Sequence, residues 1–487
     1  MEQAEGEAKP PVVKRRVYTV GQSVRAFPEW TSTHGIPHMG RTKPYCVGFW
    51  TIITLIALGL LIWQLVLIVI DYYQHDVNVQ VQLQFEQRTF PAVTLCDLNP
   101  YKKSIALQNS NISQLMDTYL YAMQSMSCAS YSTCTWISNS TMDSLMDYYG
   151  FTGLNDTSAL QTKAKRVLDL EAADFNLTSA KTQYDDFLQG CSFNTADCAD
   201  SDWTLFEDPS MGNCFTFNNA GEMNATRAGP IYGLRVIAKT NVSEYLLTSD
   251  TAGMSILIHD QDEFPFPDIF GYTIQIGTAT SIGVTYTEIS RLGSPYGECT
   301  DTKPSDYLYD LQYSTEGCQR STYQADMVKN CGCYDPAYPQ PNGTSTMCTI
   351  SSDYSCWNTQ SNDTISDSSC TQPCHEGSYE VTVSAAKWPS ASLTMIGECQ
   401  EGQYPNQTCL EMYSQNGALI EVYYEKLNYE TMAESAAYTF STLLSNFGGQ
   451  IGLWLGMSVI SVVEFLVLGF QICASCMSTK AGEVVGF

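Results

Sequence analysis

The stretch FGGQIGLWLGMSVISVVEFLVLGFQICASC, Phe447–Cys476, carries a single charged residue, Glu464. Its length exceeds the roughly 20 residues needed to cross a hydrocarbon core. Gly448, Gly449, Gly452, Gly456 and Ser458 crowd its first half. Small residues at i and i+4 let helices pack closely, which is one reading. The other concerns Gly456-Met457-Ser458: a helix that breaks at mid-membrane exposes carbonyls, and such backbone is tolerated only where it lines a cavity. Glu464 fits the second reading, because an ionisable residue in a span faces a bundle interior or a water path. The residues alone leave both open.

A second apolar run lies far upstream. From Pro44 to Ile70 no residue is charged. More than forty residues precede it, so it does not read as a cleaved leader. Those residues hold Lys9, Lys14, Arg15, Arg16, Arg25, Arg41 and Lys43 against Glu2, Glu5, Glu7 and Glu29. A basic flank places residues 1–45 in the cytoplasm. Spans at 46–70 and 448–476 then return 477–487 to the same side and leave 71–447 outside, a multi-pass plasma-membrane arrangement. Two spans in one chain do not enclose an aqueous pore, so pore function requires several copies around an axis. A ring of Glu464 carboxylates there would favour cations.

The outer segment supports this topology. It holds 45 Asp and Glu against 16 Lys and Arg. That argues against nucleic acid as a partner, since phosphate recognition needs clustered bases, and it concentrates cations near a pore mouth. All nine Asn-X-Ser/Thr sequons fall in it: Asn111, Asn139, Asn155, Asn176, Asn224, Asn241, Asn342, Asn362 and Asn406. So do sixteen of the nineteen cysteines, an even number that reads as a disulfide framework outside the cell. Cys46, Cys473 and Cys476 remain near the membrane as thiols or lipidation sites. Residues 77–98 read as strands, with VNVQVQLQF in period 2. Residues 105–190 read as helical. Residues 230–290 return to β-rich runs. The ten-cysteine stretch 299–409 reads as a stapled, loop-rich module without a large core, and GALIEVYYEKLNYET as one last strand.

FPAVTLC (Phe90–Cys96), GNCFTFN (Gly212–Asn218), LNYET (Leu427–Thr431), GGQIGLWLGMSVISVVE (Gly448–Glu464) and His34-Gly35 together resemble the degenerin / epithelial sodium channel / acid-sensing ion channel superfamily. The resemblance runs in order along nearly the whole chain. It implies an α+β membrane protein: two transmembrane helices flanking a large disulfide-rich mixed α/β ectodomain of palm, finger (here 105–190), thumb, knuckle (thumb and knuckle within 299–409) and β-ball, assembled as a homo- or heterotrimer. It implies a voltage-independent, sodium-selective pore blocked by amiloride, with no cofactor beyond the permeant ion. Gly456, Met457 and Ser458 would form the narrow belt, with Glu464 the second-span acid. Ser445 would be the position where bulk holds the pore open. Asn446 stands where acid-sensing members carry an acid. His34 and Gly35 would sit in a re-entrant loop under the pore. The cysteine order implies Cys96–Cys214, Cys191–Cys198, Cys299–Cys374, Cys318–Cys370, Cys331–Cys356 and Cys333–Cys348. Cys128 with Cys134, and Cys399 with Cys409, are left over at short spacing and read as local loops.

Gating is less legible. His75-Asp76 lies just outside the first span, where acid-sensing members place a His pair. Imidazole titrates near physiological pH, although a solvated membrane-edge His is the other reading. The run IHDQDEFPFPD, Ile258–Asp268, gathers Asp260, Asp262 and Glu263, which can raise one another's pKa or simply form a solvated face. Extracellular protons are therefore the expected ligand, with a peptide, force or constitutive opening as alternatives. An enzyme is not expected, as no Ser/His/Asp or metal-ligand signature stands out and the five His are scattered. A nucleotide-gated channel would need clustered bases, an ecto-nucleotidase a phosphate-cradling Gly-rich loop, and a two-span ectodomain receptor would not need Gly-X-Ser or an intramembrane Glu.

Overall fold

The computed structural model describes residues 19–41, 43–86, 88–129, 138–175, 177–343, 346–362, 370–392 and 407–481. The chain divides into two compact units, Met1–Asn78 with Ser435–Phe487, and Val79–Glu434.

The first unit opens with helix α1, Val20–Trp30, followed by the short α2, Ile36–Arg41, and by α3, Pro44–Tyr73. Thr19 caps α1, its N–H donating to Gln22 Oε1 at 3.0 Å, and Pro44 stands in the first turn of α3, where a missing N–H costs nothing. Thirty residues give α3 a length of about 45 Å. Only Leu61 and Ile68 of α3 are buried, while Phe49, Ile52, Leu55, Ile56, Trp63 and Val66 are exposed. A core helix of a soluble protein hides such residues; a helix apolar all round belongs in lipid.

The second unit holds two sheets and a helical module. Its strands are β1 (Val77–Phe85), β2 (Ala92–Asp97), β3 (Leu188–Phe193), β4 (Ala196–Asp197), β5 (Trp203–Asp208), β6 (Gly212–Phe217), β7 (Leu234–Lys239), β8 (Gly253–His259), β9 (Tyr272–Gln275), β10 (Thr278–Ser290), β11 (His375–Lys387), β12 (Gly417–Tyr424) and β13 (Asn428–Ala436). One sheet runs β1-β13-β10-β12-β7-β3-β4, with β11 also on β10; the other runs β5-β6-β2-β8-β9. Val93, Leu95, Phe215, Phe217, Ile256, Ile282, Val284, Ile420 and Val422 from both sheets make one core. The run read as one last strand is two. Gly417–Tyr424 lies parallel to the first part of β10 and Asn428–Ala436 parallel to its last part, so a three-residue step at 425–427 moves the chain along the same neighbour.

The long helices of residues 105–190 are α4 (Ser110–Ala129), α5 (Ser140–Tyr149) and α6 (Thr157–Ala173), in keeping with their periodicity. The cysteine-rich stretch departs from its reading as a coreless, loop-rich module. It contains α7 (Thr315–Cys331), α8 (Ile350–Asn362) and the thirteen-residue β11. Met327, Cys333, Cys348 and Trp357 from this stretch share a core with Ile112, Leu115, Leu160 and Val167. The staples supplement a core built jointly with the preceding helices, which no local pattern within 299–409 announces.

Six disulfides join the pairs that the resemblance implied: Cys96–Cys214, Cys191–Cys198, Cys299–Cys374, Cys318–Cys370, Cys331–Cys356 and Cys333–Cys348. Cys128 and Cys409 are disulfide-bonded, while Cys134 and Cys399 lie outside the described residues. Of the sequons, Asn111, Asn139, Asn155, Asn224, Asn241 and Asn342 are exposed; Asn176, Asn406 and the side chain of Asn362 lie outside the described residues. Helix α9, Cys409–Asn416, leads into β12, and after β13 the chain returns to the first unit as helices α10 (Phe440–Leu455) and α11 (Val459–Ala481).

Candidate functional site

The apolar stretch Phe447–Cys476 is a helix broken in the middle. α10 stops at Leu455, Gly456 turns left-handed at φ 60° and ψ 26°, and α11 begins at Val459. Glycine adopts this conformation without the strain a Cβ brings. The Gly456 N–H still donates to Gly452 O at 2.9 Å, closing α10. The Ser458 N–H donates to Ser461 Oγ at 3.1 Å, opening α11.

The break is met from the other end of the chain. His34 N–H donates to Leu455 O at 3.0 Å, and a Cβ on Gly456 would overlap the His34 ring. Gly35, at φ 91°, turns the chain where a side chain would strike Thr54 of α3. The His38 ring stacks on Trp50 of α3 with centroids 4.5 Å apart. Glu464 Oε2 accepts from Ser32 N–H at 2.8 Å, Thr31 Oγ1 at 3.0 Å and Ser32 Oγ at 3.1 Å. Trp454 Nε1 donates to Gln64 Oε1 at 2.6 Å, fixing α10 on α3. His34, Gly35, Gly456, Ser458 and Glu464 are thus brought to one place. Thr31, Ser32 and Gln64 belong there too and were not singled out from sequence. The three hydroxyl residues Thr31-Ser32-Thr33 before His34 were the available signal.

Ser445 and Asn446 lie on α10, well before the break. Ser445 is exposed, and Asn446 Nδ2 donates to Tyr438 OH at 2.5 Å. On the role that the family resemblance implies for this position, Ser445→Val or Ser445→Phe is expected to raise resting current, since added bulk would disfavour a closed packing of second spans; resting conductance per surface channel measures it, and normal closure speaks against the assignment. His75, at φ 55°, and the exposed Asp76 follow α3, and Asp76 O accepts from Ala437 N–H at 2.9 Å.

Asp260, Asp262 and Glu263 sit together after β8 in the other unit. Tyr379 OH donates to Asp260 Oδ1 at 2.6 Å and Tyr286 OH lies 3.5 Å from Oδ2. The Arg88 guanidinium rests over the Tyr286 ring, 3.2 Å from its centroid. Asp262 accepts from Gln312 through its backbone O at 2.9 Å. Burial pushes the Glu263 carboxyl up to about 7, helped by Asp260 and Glu376. Among the further raised carboxyls that no sequence pattern announces, burial, then Asp268, pushes Asp208 up to about 6, and burial, then Asp335, holds Asp169 well above its ordinary range. They come from separate elements, so no local run marks them. His259, which belongs to the same acidic run, is pushed down to about 4 by burial. Among the described residues no group of three or more metal-ligating side chains is found.

The family model for the amiloride-sensitive sodium channel matches residues 27–468. The chain is 39% identical to the degenerin unc-8 of Caenorhabditis elegans over 67% of its length and 44% of that protein's. It is 39% identical to the degenerin-like protein asic-1 of the same organism, over 68% of its length and 42% of that protein's, and 29% identical to the degenerin del-1, over 92% and 88%. The chain spans less than half the length of unc-8 and asic-1. The chain belongs to the amiloride-sensitive sodium channel family. Members of this family are ion channels, not enzymes.

Proposed function

We propose that the chain is a subunit of a voltage-independent, sodium-selective cation channel of the plasma membrane, trimeric, with both termini cytoplasmic, blocked by amiloride and opened by extracellular protons. The observation that carries the pore is the break at Gly456–Ser458, backbone freed from a span and fixed by His34. Freed carbonyls and hydroxyls at a constriction exchange for an ion's hydration shell. The test is voltage clamp of the expressed chain with sodium replaced by potassium, with and without amiloride. Ser458→Phe is expected to abolish the current or its sodium preference; an unchanged reversal potential at equal surface expression contradicts the assignment.

Proton opening is supported by Glu263. Its raised pKa means that the arrangement burying it binds the proton more tightly than one that hydrates it. The sign follows: that arrangement is fully favoured below the ordinary carboxyl value of about 4.5 and loses its advantage as pH rises through about 7. Acidification from pH 7.5 to 5 should therefore favour it; proton opening takes that arrangement as the conducting one, so current should rise. Glu263→Gln is expected to move the midpoint of the pH response by about half a unit or more. An unmoved midpoint transfers the sensor to other groups, with Asp208 and Asp169 next. A current flat across this range, with amiloride-sensitive leak present, favours the second reading, a peptide-gated, mechanically gated or constitutively open channel. That reading draws support from the relatives, most of which bear the name degenerin.

A further inference from the structure

We infer that Glu464 is a positioning residue: through Thr31 and Ser32 it clasps the chain's N-terminal segment to the second span, and it does not present a bare carboxylate to passing ions. The inference rests on the channel reading and specifies how its pore is held. All three donors converge on one oxygen, Oε2, from Ser32 N–H, Ser32 Oγ and Thr31 Oγ1 at 2.8–3.1 Å. A carboxylate accepts and cannot donate, so the Ser32 hydroxyl spends its proton on Glu464. Its lone pairs then face Ser461 Oγ, 2.6 Å away, and Ser461 must be the donor of that bond. Ser461 Oγ in turn accepts the Ser458 N–H at 3.1 Å. One directed chain of hydrogen bonds thus runs from the Ser458 backbone, through Ser461 and Ser32, to Glu464. It joins the broken segment of the span to a stretch some 430 residues earlier.

The surroundings suit a clasp. Ser461 has no exposed surface, and Thr31 and Thr33 are buried. The Phe27 ring of α1 lies 4.9 Å from Phe465, the residue after Glu464. Charge-assisted bonds of this kind are stronger than neutral ones, and linked bonds reinforce one another. An ionisable side chain within a span is costly unless donors meet it, and here the N-terminal segment brings three.

Two roles for Glu464 make opposite orders of damage. If it clasps, Glu464→Gln, which keeps an acceptor oxygen, should leave sodium current per surface channel within about threefold of the native chain. Glu464→Leu and the pair Thr31→Val with Ser32→Ala should each lower it about tenfold or collapse the sodium-to-potassium permeability ratio. Adding the pair to Glu464→Leu should deepen the loss no further, since that change already removes the acceptor of both hydroxyls. If Glu464 instead faces ions as a charge, Glu464→Gln should be as damaging as Glu464→Leu and the hydroxyl pair should be silent; that order, or additive losses, overturns the clasp. A second arm needs no current. In the full chain with Cys46, Cys473 and Cys476 replaced by Ser, Ser32→Cys and Ser461→Cys should form a disulfide on mild oxidation in membranes, read by peptide mapping. No cross-link overturns the clasp even in a conducting channel. A cross-link in a chain that passes no current upholds the clasp and removes the channel reading alone.

Discussion

Gly456→Ala is expected to abolish sodium current while the protein still reaches the cell surface. Two independent costs meet at this residue. The backbone sits at φ 60°, where a non-glycine residue is strained by roughly 1–2 kcal/mol. The added Cβ would also overlap the His34 imidazole, so either the ring leaves or the break straightens. If the ring leaves, the His34 N–H bond to Leu455 O is put at risk. If the break straightens, the carbonyls return to helix bonding. Gly456→Val should be no better. His34→Gly in the same chain removes the overlap but not the backbone strain, so it should restore part of the current at most. Current per surface channel decides, and native current from Gly456→Ala would show that the break is not the conducting constriction.

Trp357→Ala should strongly destabilise the Val79–Glu434 unit. Trp357 is 1% exposed and sits in the core shared by α6, α7 and α8. Its Nε1 donates to Asp335 Oδ2 at 2.7 Å, and Tyr323 OH donates to the same oxygen at 3.1 Å. The Arg166 guanidinium lies 5.1 Å from the Trp357 ring centroid and 3.8 Å from Asp335 Oδ2. Truncation empties a large cavity, worth about 3–5 kcal/mol, and strips a donor from a buried carboxylate, which adds to that. Thermal aggregation of the detergent-solubilised chain, followed by fluorescence-detected chromatography, should fall by several degrees. Trp357→Phe keeps most of the volume but loses the donor and should fall in between. Equal profiles for all three chains would mean that this core is not limiting.

What the sequence discloses is uneven, for physical reasons. The two spans were legible because lipid imposes length and apolarity on a continuous run. The break at Gly456–Ser458 was legible because glycine's freedom is a property of one residue. Strands in period 2 and the helices of 105–190 carried their own local signals. Trp357 and Met327 did not, because their burial depends on α4 and α6, which lie far away in the chain. Nor was the step between Tyr424 and Asn428 visible, as it is set by the register of β10. At the site, Glu464 stood out as an isolated acid, yet its partners Thr31 and Ser32 looked like ordinary polar residues of a flank. Asp169 and Asp208 were invisible as titrating groups, since only the folded chain withdraws them from water.

The meeting of His34 with Leu455 and Gly456 has a consequence for biogenesis. At about 5–20 residues per second, a ribosome needs roughly 20 to 80 s between synthesising the first partner and the second. Throughout that interval α1 and the turn at Gly35 have no second span to rest on, while the whole disulfide-bonded Val79–Glu434 unit is synthesised. The contact of His34 with the break is therefore among the last features to form, after the Val79–Glu434 unit has been made. Its completion requires both ends of the chain, so a chain cut short after Glu434 leaves His34 without Leu455 and Ser32 without Glu464.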